Sequence, residues 1–562
     1  MTDDRHLPDP PAPRRTHPLA TALTAAAVVL LGYVVLVFAV FNLGGVNANS
    51  TFSFVGSSIR PTGGETAARP NPSPHLAPGP GAPQPAAAEP TKTGESYAGI
   101  AENPFRLARS VPLSTFSADV NSASYSNVRR YLSNGSPPPR DAVFLAELVN
   151  YFPYRYPQPS GDAPVSLTLD LAPCPWKDGH QLVRVGVRAK SFEPGESPRR
   201  NLVFLVDTSG SMDAETRLPL VKQSLELLVH QLRHDDRVSI VTYAGDSRVA
   251  LMPTPGGKKD AILTALHGLR AGGGTNGAGG ITKAYELARA SFVGGGTNRV
   301  ILCTDGDFNV GVVSPSALDQ MIERERNSQV FLTVLGFGMG NLKNDRLESL
   351  ARKGNGHYGY IDTLQEARRI FVEQGAALSV VAKDVKFQVE FNPARVAAYR
   401  LLGYENRLLR DEDFKNDKVD AGDLGSGHTV TALYEIVPVG VSVAVPGVDP
   451  LKYQAPAQPA GPADEWLTVR MRYKAPLGET SKELSAALAG SAAGRPVAED
   501  FAFAAAVAEW GLVLRQSEYR GSASLSAALA RAEAACGSDP GGHRREFVEL
   551  LRKTAALTAA TD

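Results

Sequence analysis

Three cysteines in 562 residues are too few and too far apart for a disulfide framework. Cys174, Cys303 and Cys536 also form no CxxC metal site. A Cys174–Cys536 bridge outside the cytoplasm stays open at this point. Cys303 sits in the apolar run Val300-Ile301-Leu302-Cys303 and reads as a buried strand residue rather than a reactive thiol. Net charge is missing too: Lys plus Arg number 58 and Asp plus Glu number 58. Nucleic-acid binding normally shows a basic stripe or excess, so no nucleic-acid partner is expected. The chain lacks a G-x-x-x-x-G-K-[ST] loop, so no nucleotide is expected either. It has no G-x-S-x-G elbow and no H-E-x-x-H helix. Its 10 histidines are scattered, and His234, His267 and His428 read as surface or loop residues.

Long apolar runs are confined to one place. Leu19 to Phe41 carries no charge and, at about 1.5 Å per residue, is long enough to span a bilayer core. Arg5, Arg14 and Arg15 precede it, and no Lys or Arg follows until Arg60. The positive-inside tendency then puts the N-terminus in the cytoplasm and the rest outside, as a single-pass membrane protein. The rival is a cleaved signal peptide, with Val46-Asn47-Ala48 as a weak cleavage site. Signal peptides have apolar regions of about 7–15 residues, so the length here favours an uncleaved anchor.

Composition and periodicity divide the chain into a cytoplasmic N-terminus (1–18), an anchor (19–41) and a linker (42–98) rich in Pro, Ala and Gly. The linker offers too little apolar surface to offset the entropy of ordering. Region 99–197 mixes two short helices, Ser124 to Leu132 and Ala142 to Tyr151, with alternating strands Val165 to Leu171 and Gln181 to Ala189. Its dense aromatics, among them Tyr125, Tyr151, Phe152 and Tyr154, read as core.

From Asn201 the pattern changes. Near-continuous apolar runs alternate with helical ones through 198–378, which predicts an α/β unit with a mostly parallel sheet covered on both faces. A single final helix is predicted over Leu364 to Leu378. Region 379–562 is β-rich, then helical over Glu499 to Arg515, Ser524 to Ala535 and His543 to Leu557. Asp417, Asp420 and Asp423 lack calcium-loop spacing and read as a solvated turn between strands.

One constellation carries chemistry. Asp207-Thr208-Ser209-Gly210-Ser211 ends the first buried strand in the pattern D-x-S-x-S. Ligands of open parallel sheets bind beyond the carboxyl ends of the strands. Ser209 and Ser211 occupy alternate loop positions, so both hydroxyls can turn one way. The Gly-rich loop Gly272-Gly273-Gly274-Thr275 offers a third hydroxyl, and Asp305 ends a later buried strand. Carboxylates and hydroxyls are hard ligands, suited to Mg²⁺, or to Mn²⁺ or Ca²⁺.

Asp207, Ser209, Ser211, Thr275 and Asp305 resemble all five positions of the metal-ion-dependent adhesion site of von Willebrand factor type A domains. The resemblance implies that Ser209, Ser211 and Thr275 ligate the ion, directly or through water, and that Asp207 and Asp305 hold it and orient the hydroxyls. It also implies a mostly parallel central sheet with one short antiparallel edge strand. Pro112-Leu113-Ser114-Thr115-Phe116-Ser117, Tyr399 to Arg407 and Asn416 to Gly422 are similar to the flanking regions of the bacterial YfbK-like family. The expected function is membrane-anchored, metal-dependent binding of a protein partner that offers an Asp or Glu carboxylate. Two alternatives are a metal-dependent hydrolase and an envelope scaffold whose metal only stiffens loops. Hydrolysis needs a base near the ion, and no local residue fills that role, so no enzyme is expected.

Overall fold

The computed structural model describes residues 95, 97, 99–193, 195–306, 314–339, 343–442 and 464–559. The expected anchor at 19–41 and most of the linker lie outside them. Among the described residues no helix is long and apolar enough to cross a membrane.

The described chain opens with strands β1 (Arg106–Leu107) and β2 (Leu113–Ser117), followed by helices α1 (Ala123–Ser133) and α2 (Leu145–Asn150). The hairpin of β3 (Val165–Pro173) and β4 (Gln181–Ala189) comes next. The central unit runs β5 (Arg200–Asp207), α3 (Leu218–His230), β6 (Arg237–Tyr243), β7 (Ser247–Pro255), α4 (Lys259–His267), α5 (Gly277–Ala290) and β8 (Thr297–Thr304). It continues with α6 (Pro315–Asn327), β9 (Phe331–Phe337), α7 (Asn344–Lys353), β10 (Tyr358–Ile361) and α8 (Leu364–Arg368). The last part holds strands β11 (Val380–Phe391), β12 (Val396–Leu402), β13 (Gly422–Gly425), β14 (Thr429–Pro438), β15 (Glu465–Lys474) and β16 (Ser481–Ala489). It ends with helices α9 (Glu499–Leu514), α10 (Leu525–Ala534) and α11 (His543–Ala559).

The central sheet has the order β10-β9-β8-β5-β6-β7. All neighbours are parallel except β7, an antiparallel edge strand on β6. Alternation along β5 shows why its apolar run is continuous. Val203 and Leu205 enter one core with α5 and α6, while Leu202, Phe204 and Val206 enter another with α3 and α4. Cys303 is fully buried in the second core. It is a free thiol, as are Cys174 and Cys536, so those two form no bridge here.

The two flanking regions share their sheets. One sheet runs β1-β12-β14-β4-β3 and another β13-β11-β15-β16, with β2 also on β11. Strands on either side of the central unit therefore pair with one another. Between the two sheets lies a core that includes Val185, Val187, Phe387, Val389, Tyr434 and Met471. Helices α9 to α11 join α1 and α2 in a further core, where Tyr125 stacks on Tyr151 at 3.8 Å and Trp510 meets Phe547 edge-on at 5.2 Å. Helix α9 is buried over most of its length from Asp500 to Leu512, in keeping with its largely apolar sequence.

Two local expectations change. The predicted helix over Leu364 to Leu378 is α-helical only to Arg368, then π-helical over Arg369–Glu373 and 3₁₀ over Gly375–Leu378. The wider turn accompanies the burial of Arg369, which pairs with Glu366 at 2.6 Å and lies over the Tyr151 ring at 4.2 Å. Of the acidic stretch, Asp417 and Asp420 are exposed in a turn as expected, but Asp423 is not part of it. Asp423 belongs to β13, which pairs with β11, and its Oδ2 is buried. His428 sits in the loop before β14, as expected, half-buried and edge-on to His357 at 5.8 Å. The change at Asp423 follows from pairing between distant segments, which local polarity does not reveal.

Candidate metal centre

Strand β5 delivers Asp207 to the carboxyl edge of the sheet, fully buried. The chain then turns sharply. The Ser209 N–H donates to Asp207 Oδ1 at 2.9 Å, and Ser209 Oγ lies 3.1 Å from Ser211 Oγ. Both hydroxyls thus point to one side of the loop. Ser209 is buried and Ser211 exposed, so the pair runs from the floor of the site to its mouth.

The start of the glycine-rich loop is tied to this turn by two hydrogen bonds. Gly210 N–H donates to the Gly273 carbonyl at 3.0 Å, and Gly272 N–H donates to the Thr208 carbonyl at 2.8 Å. Gly273 has φ +86°, a left-handed conformation that favours glycine. Beyond it, Asn276 N–H donates to the Ala244 carbonyl at 2.6 Å. Thr275 is held between these anchors and is half-buried. Its side chain makes no hydrogen bond to the other four residues.

Strand β8 ends at Thr304, beside β5, and Asp305 follows with almost no exposure. Thr304 Oγ1 donates to Asp207 Oδ2 at 3.4 Å. Burial pushes the Asp207 carboxyl above the usual carboxylate range, and Asp305 adds to this through its charge. Hydrogen bonds from Ser209 and Tyr243 act in the opposite direction. The structure therefore brings Asp207, Ser209 and Ser211 into direct contact, sets Asp305 beside Asp207 and suspends Thr275 from the same loop cluster.

Two further residues shape the site and were absent from the sequence reading. Tyr243 ends β6 and reaches Asp207 from the other side. Arg217 pairs with Asp305 Oδ2 at 3.1 Å, donates to the Ser211 carbonyl and donates to the Met339 carbonyl at 2.9 Å. Gly338 leaves room for it: a Cβ there would stand 2.5 Å from Arg217 Nε. Nothing in the local sequence marks Arg217, because two of its partners, Asp305 and Met339, lie just beyond β8 and β9.

The donor set fits a hard divalent ion. Among the described residues no group of three or more His, Cys, Asp or Glu side chains could hold a metal. This centre has two carboxylates, and its other oxygens are hydroxyls. Two buried carboxylates repel each other, and Arg217 pairs with Asp305. Among the described residues Asp207 forms no ion pair, so a cation in front of it would relieve both burial and repulsion.

Comparison with known proteins agrees with this architecture. Residues 201–372 match the family profile described as "von Willebrand factor type A domain". Residues 376–557 match "Uncharacterized protein YfbK, C-terminal", and 91–184 match "von Willebrand factor". The Escherichia coli (strain K12) protein "Uncharacterized protein YfbK" is 43% identical over 475 residues, which cover 82% of this chain and 81% of that protein. The mouse "Inter alpha-trypsin inhibitor, heavy chain 4" is 25% identical over 208 residues, covering 35% of this chain but only 21% of that protein. Among solved structures, "von Willebrand factor type A from Catenulispora acidiphila" aligns with 18% identity and a TM-score of 0.39, covering 69% of this chain and 89% of that one. With its type A domain and a YfbK C-terminal region, the chain belongs to the bacterial YfbK-like family of von Willebrand factor type A proteins.

Proposed function

We propose that this protein is a membrane-anchored, divalent-metal-dependent binding module that captures an acidic side chain of a protein partner. Type A domains generally mediate protein–protein interaction, which supports the coarser part of this reading. The finer part rests on one observation: the hydroxyls of Ser209 and Ser211 face the buried Asp207 at the carboxyl edge of the sheet, with Asp305 beside it. Asp207, Ser209, Ser211, Thr275 and Asp305 would hold Mg²⁺, or Mn²⁺ or Ca²⁺. The bound ion supplies an electrophilic position for a carboxylate oxygen, because hydroxyl ligands add no formal charge.

The chain's own residues do the rest. Asp207 orients the turn through the Ser209 N–H. Arg217 fixes Asp305 and the Ser211 carbonyl, so the mouth of the site keeps its shape. Exposed Ser211 and half-buried Thr275 leave the outer side open to a partner. The apolar segment 19–41 would hold the module at the membrane, with its bulk extracytoplasmic.

The test is a pull-down from solubilised membranes with the full chain, in Mg²⁺ and in chelator. A partner retained in Mg²⁺ is expected to be lost in chelator and with Asp207→Ala or Ser209→Ala. Equal recovery by the wild type and both variants would refute the reading. Release of the full chain from membranes by alkaline carbonate would refute the anchor.

A further inference from the structure

Five side chains offer oxygen at the carboxyl edge of the sheet, and a sixth brings positive charge. Arg217 closes the turn that carries Ser209 and Ser211, and its guanidinium meets the buried Asp305 Oδ2 at 3.1 Å. Only 18% of the Arg217 side chain is exposed, so it is built into the site rather than draped over it. Two carbonyls hold it there: it donates to Ser211, and to Met339 at 2.9 Å. Gly338 leaves the space it fills, since a Cβ there would stand 2.5 Å from Arg217 Nε and 2.6 Å from its Cγ. The Gly338 carbonyl in turn accepts the Tyr360 hydroxyl at 2.5 Å, which pins that turn to β10.

The charge of Arg217 does more than brace the loops. Asp207 and Asp305 carry two negative charges once an ion has displaced their protons. Against a divalent cation those charges sum to zero, and such a site has no electrostatic need of an acidic ligand. An arginine stays charged at any working pH, so Arg217 leaves the occupied site with one net positive charge. Asp213, Glu215 and the Asp246–Arg248 pair are exposed, and solvent and salt screen them. A carboxylate from outside restores neutrality, whereas an amide or hydroxyl oxygen does not.

We propose that Arg217 determines the ligand specificity of the metal centre. Its charge weakens the hold on the bare ion and makes a carboxylate, rather than a neutral oxygen donor, the ligand that completes the site. This rests on the reading of Asp207, Ser209, Ser211, Thr275 and Asp305 as the residues that hold the ion. Arg217 acts through Asp305 and through the field it sets up at the mouth, not as a ligand.

Bracing and charge predict opposite signs for the loss of this side chain. Bracing alone would leave the loops looser and the ion held more weakly. A like charge a few ångströms from the ion, in a partly buried site, lowers its affinity by about tenfold or more, so removing that charge tightens the ion. The same removal lowers the preference for an acidic ligand. Gln keeps an N–H donor for the carbonyls but carries no charge. Lys keeps the charge without the planar fork.

The test uses the full chain with Mn²⁺ alone, its affinity read from the electron paramagnetic resonance of the free ion. Two blocked tripeptides, alike except for a central Glu or Gln, are then titrated by calorimetry into the Mn²⁺-loaded chain. Wild type should prefer the Glu peptide by about tenfold or more. Arg217→Gln should hold Mn²⁺ about tenfold more tightly and lose most of that preference, while Arg217→Lys stays near wild type in both. Mn²⁺ held equally or more weakly by Arg217→Gln would overturn the proposal, as would an Arg217→Lys as altered as Arg217→Gln. So would a wild type that binds the two peptides alike, a result that needs no variant to fold. Failure of wild type to retain any Mn²⁺ would instead strike the reading of the site as a metal centre, and the proposal with it.

Discussion

Replacing Asp423 by Asn should change how stability depends on pH. In the fold this carboxyl keeps its proton up to about 8, against an ordinary value of 3.8. Between those values the folded chain holds more protons than the unfolded one. The contribution is therefore fully present below pH 3.8 and is lost as pH rises towards about 8. At about 1.36 kcal/mol per unit, the loss from pH 5 to pH 7 is about 2.7 kcal/mol. An amide has nearly the shape of the protonated acid and does not titrate. The stability of Asp423→Asn relative to wild type should thus grow by about 2.7 kcal/mol over that interval and level off above about pH 8. Urea unfolding of the full chain at several pH values checks this, followed by the fluorescence of Trp176, Trp466 and Trp510, all buried. Titrating groups common to both proteins cancel in the difference. A gap that stays constant with pH would refute the buried, unpaired carboxyl.

Glu366 lies 3.1 Å from Arg129 and 2.6 Å from Arg369, all three buried. Burial pushes its carboxyl up, yet Arg369 and Arg129 hold it down at about 2, so its contribution is present above pH 4.5 and lost as pH falls towards 2. Glu366→Gln should cost about 3–5 kcal/mol in urea unfolding at neutral pH, because buried Arg369 loses its carboxylate partner, while Arg129 keeps Asp362 and Glu546; a loss below about 1 kcal/mol would contradict the ion-pair account. Burial also holds His357 down at about 4 and His428 at about 3. The unfolded rings take up protons below 6.5, so the folded state loses about 2 kcal/mol per ring by pH 5. His428→Phe should flatten that acid-side decline in thermal unfolding, and an unchanged slope would argue against a buried, neutral ring.

The central unit was legible because its physics is local. Strands buried on both faces need continuous apolar runs, and Asn201 to Val206 and Val300 to Cys303 supply them. A carboxylate at the end of such a run marks the ligand edge of the sheet, as Asp207 does after β5 and Asp305, one residue further on, after β8. The sandwich was not legible as one body. Its sheets pair β4 with β14 and β2 with β11, across the whole central unit, and periodicity within each segment says nothing about such partners. β13 reads Gly-Asp-Leu-Gly, with no strand propensity of its own, and becomes a strand only by pairing with β11. β16 reads Ser-Lys-Glu-Leu-Ser-Ala-Ala-Leu-Ala, buries little beyond Leu488, and takes β15 as its template. Arg217 escaped notice because its role depends on Asp305 and Met339, which the fold alone brings near.

The most direct measurement is water-proton relaxation of the full chain titrated with Mn²⁺. Wild type should hold the ion with exchangeable water still attached, giving enhanced relaxation that falls when a glutamate-containing peptide takes the open position. Asp207→Ala should show no such enhancement. Equal enhancement in wild type and variant, or a bound ion whose relaxation ignores the acidic peptide, would contradict the account.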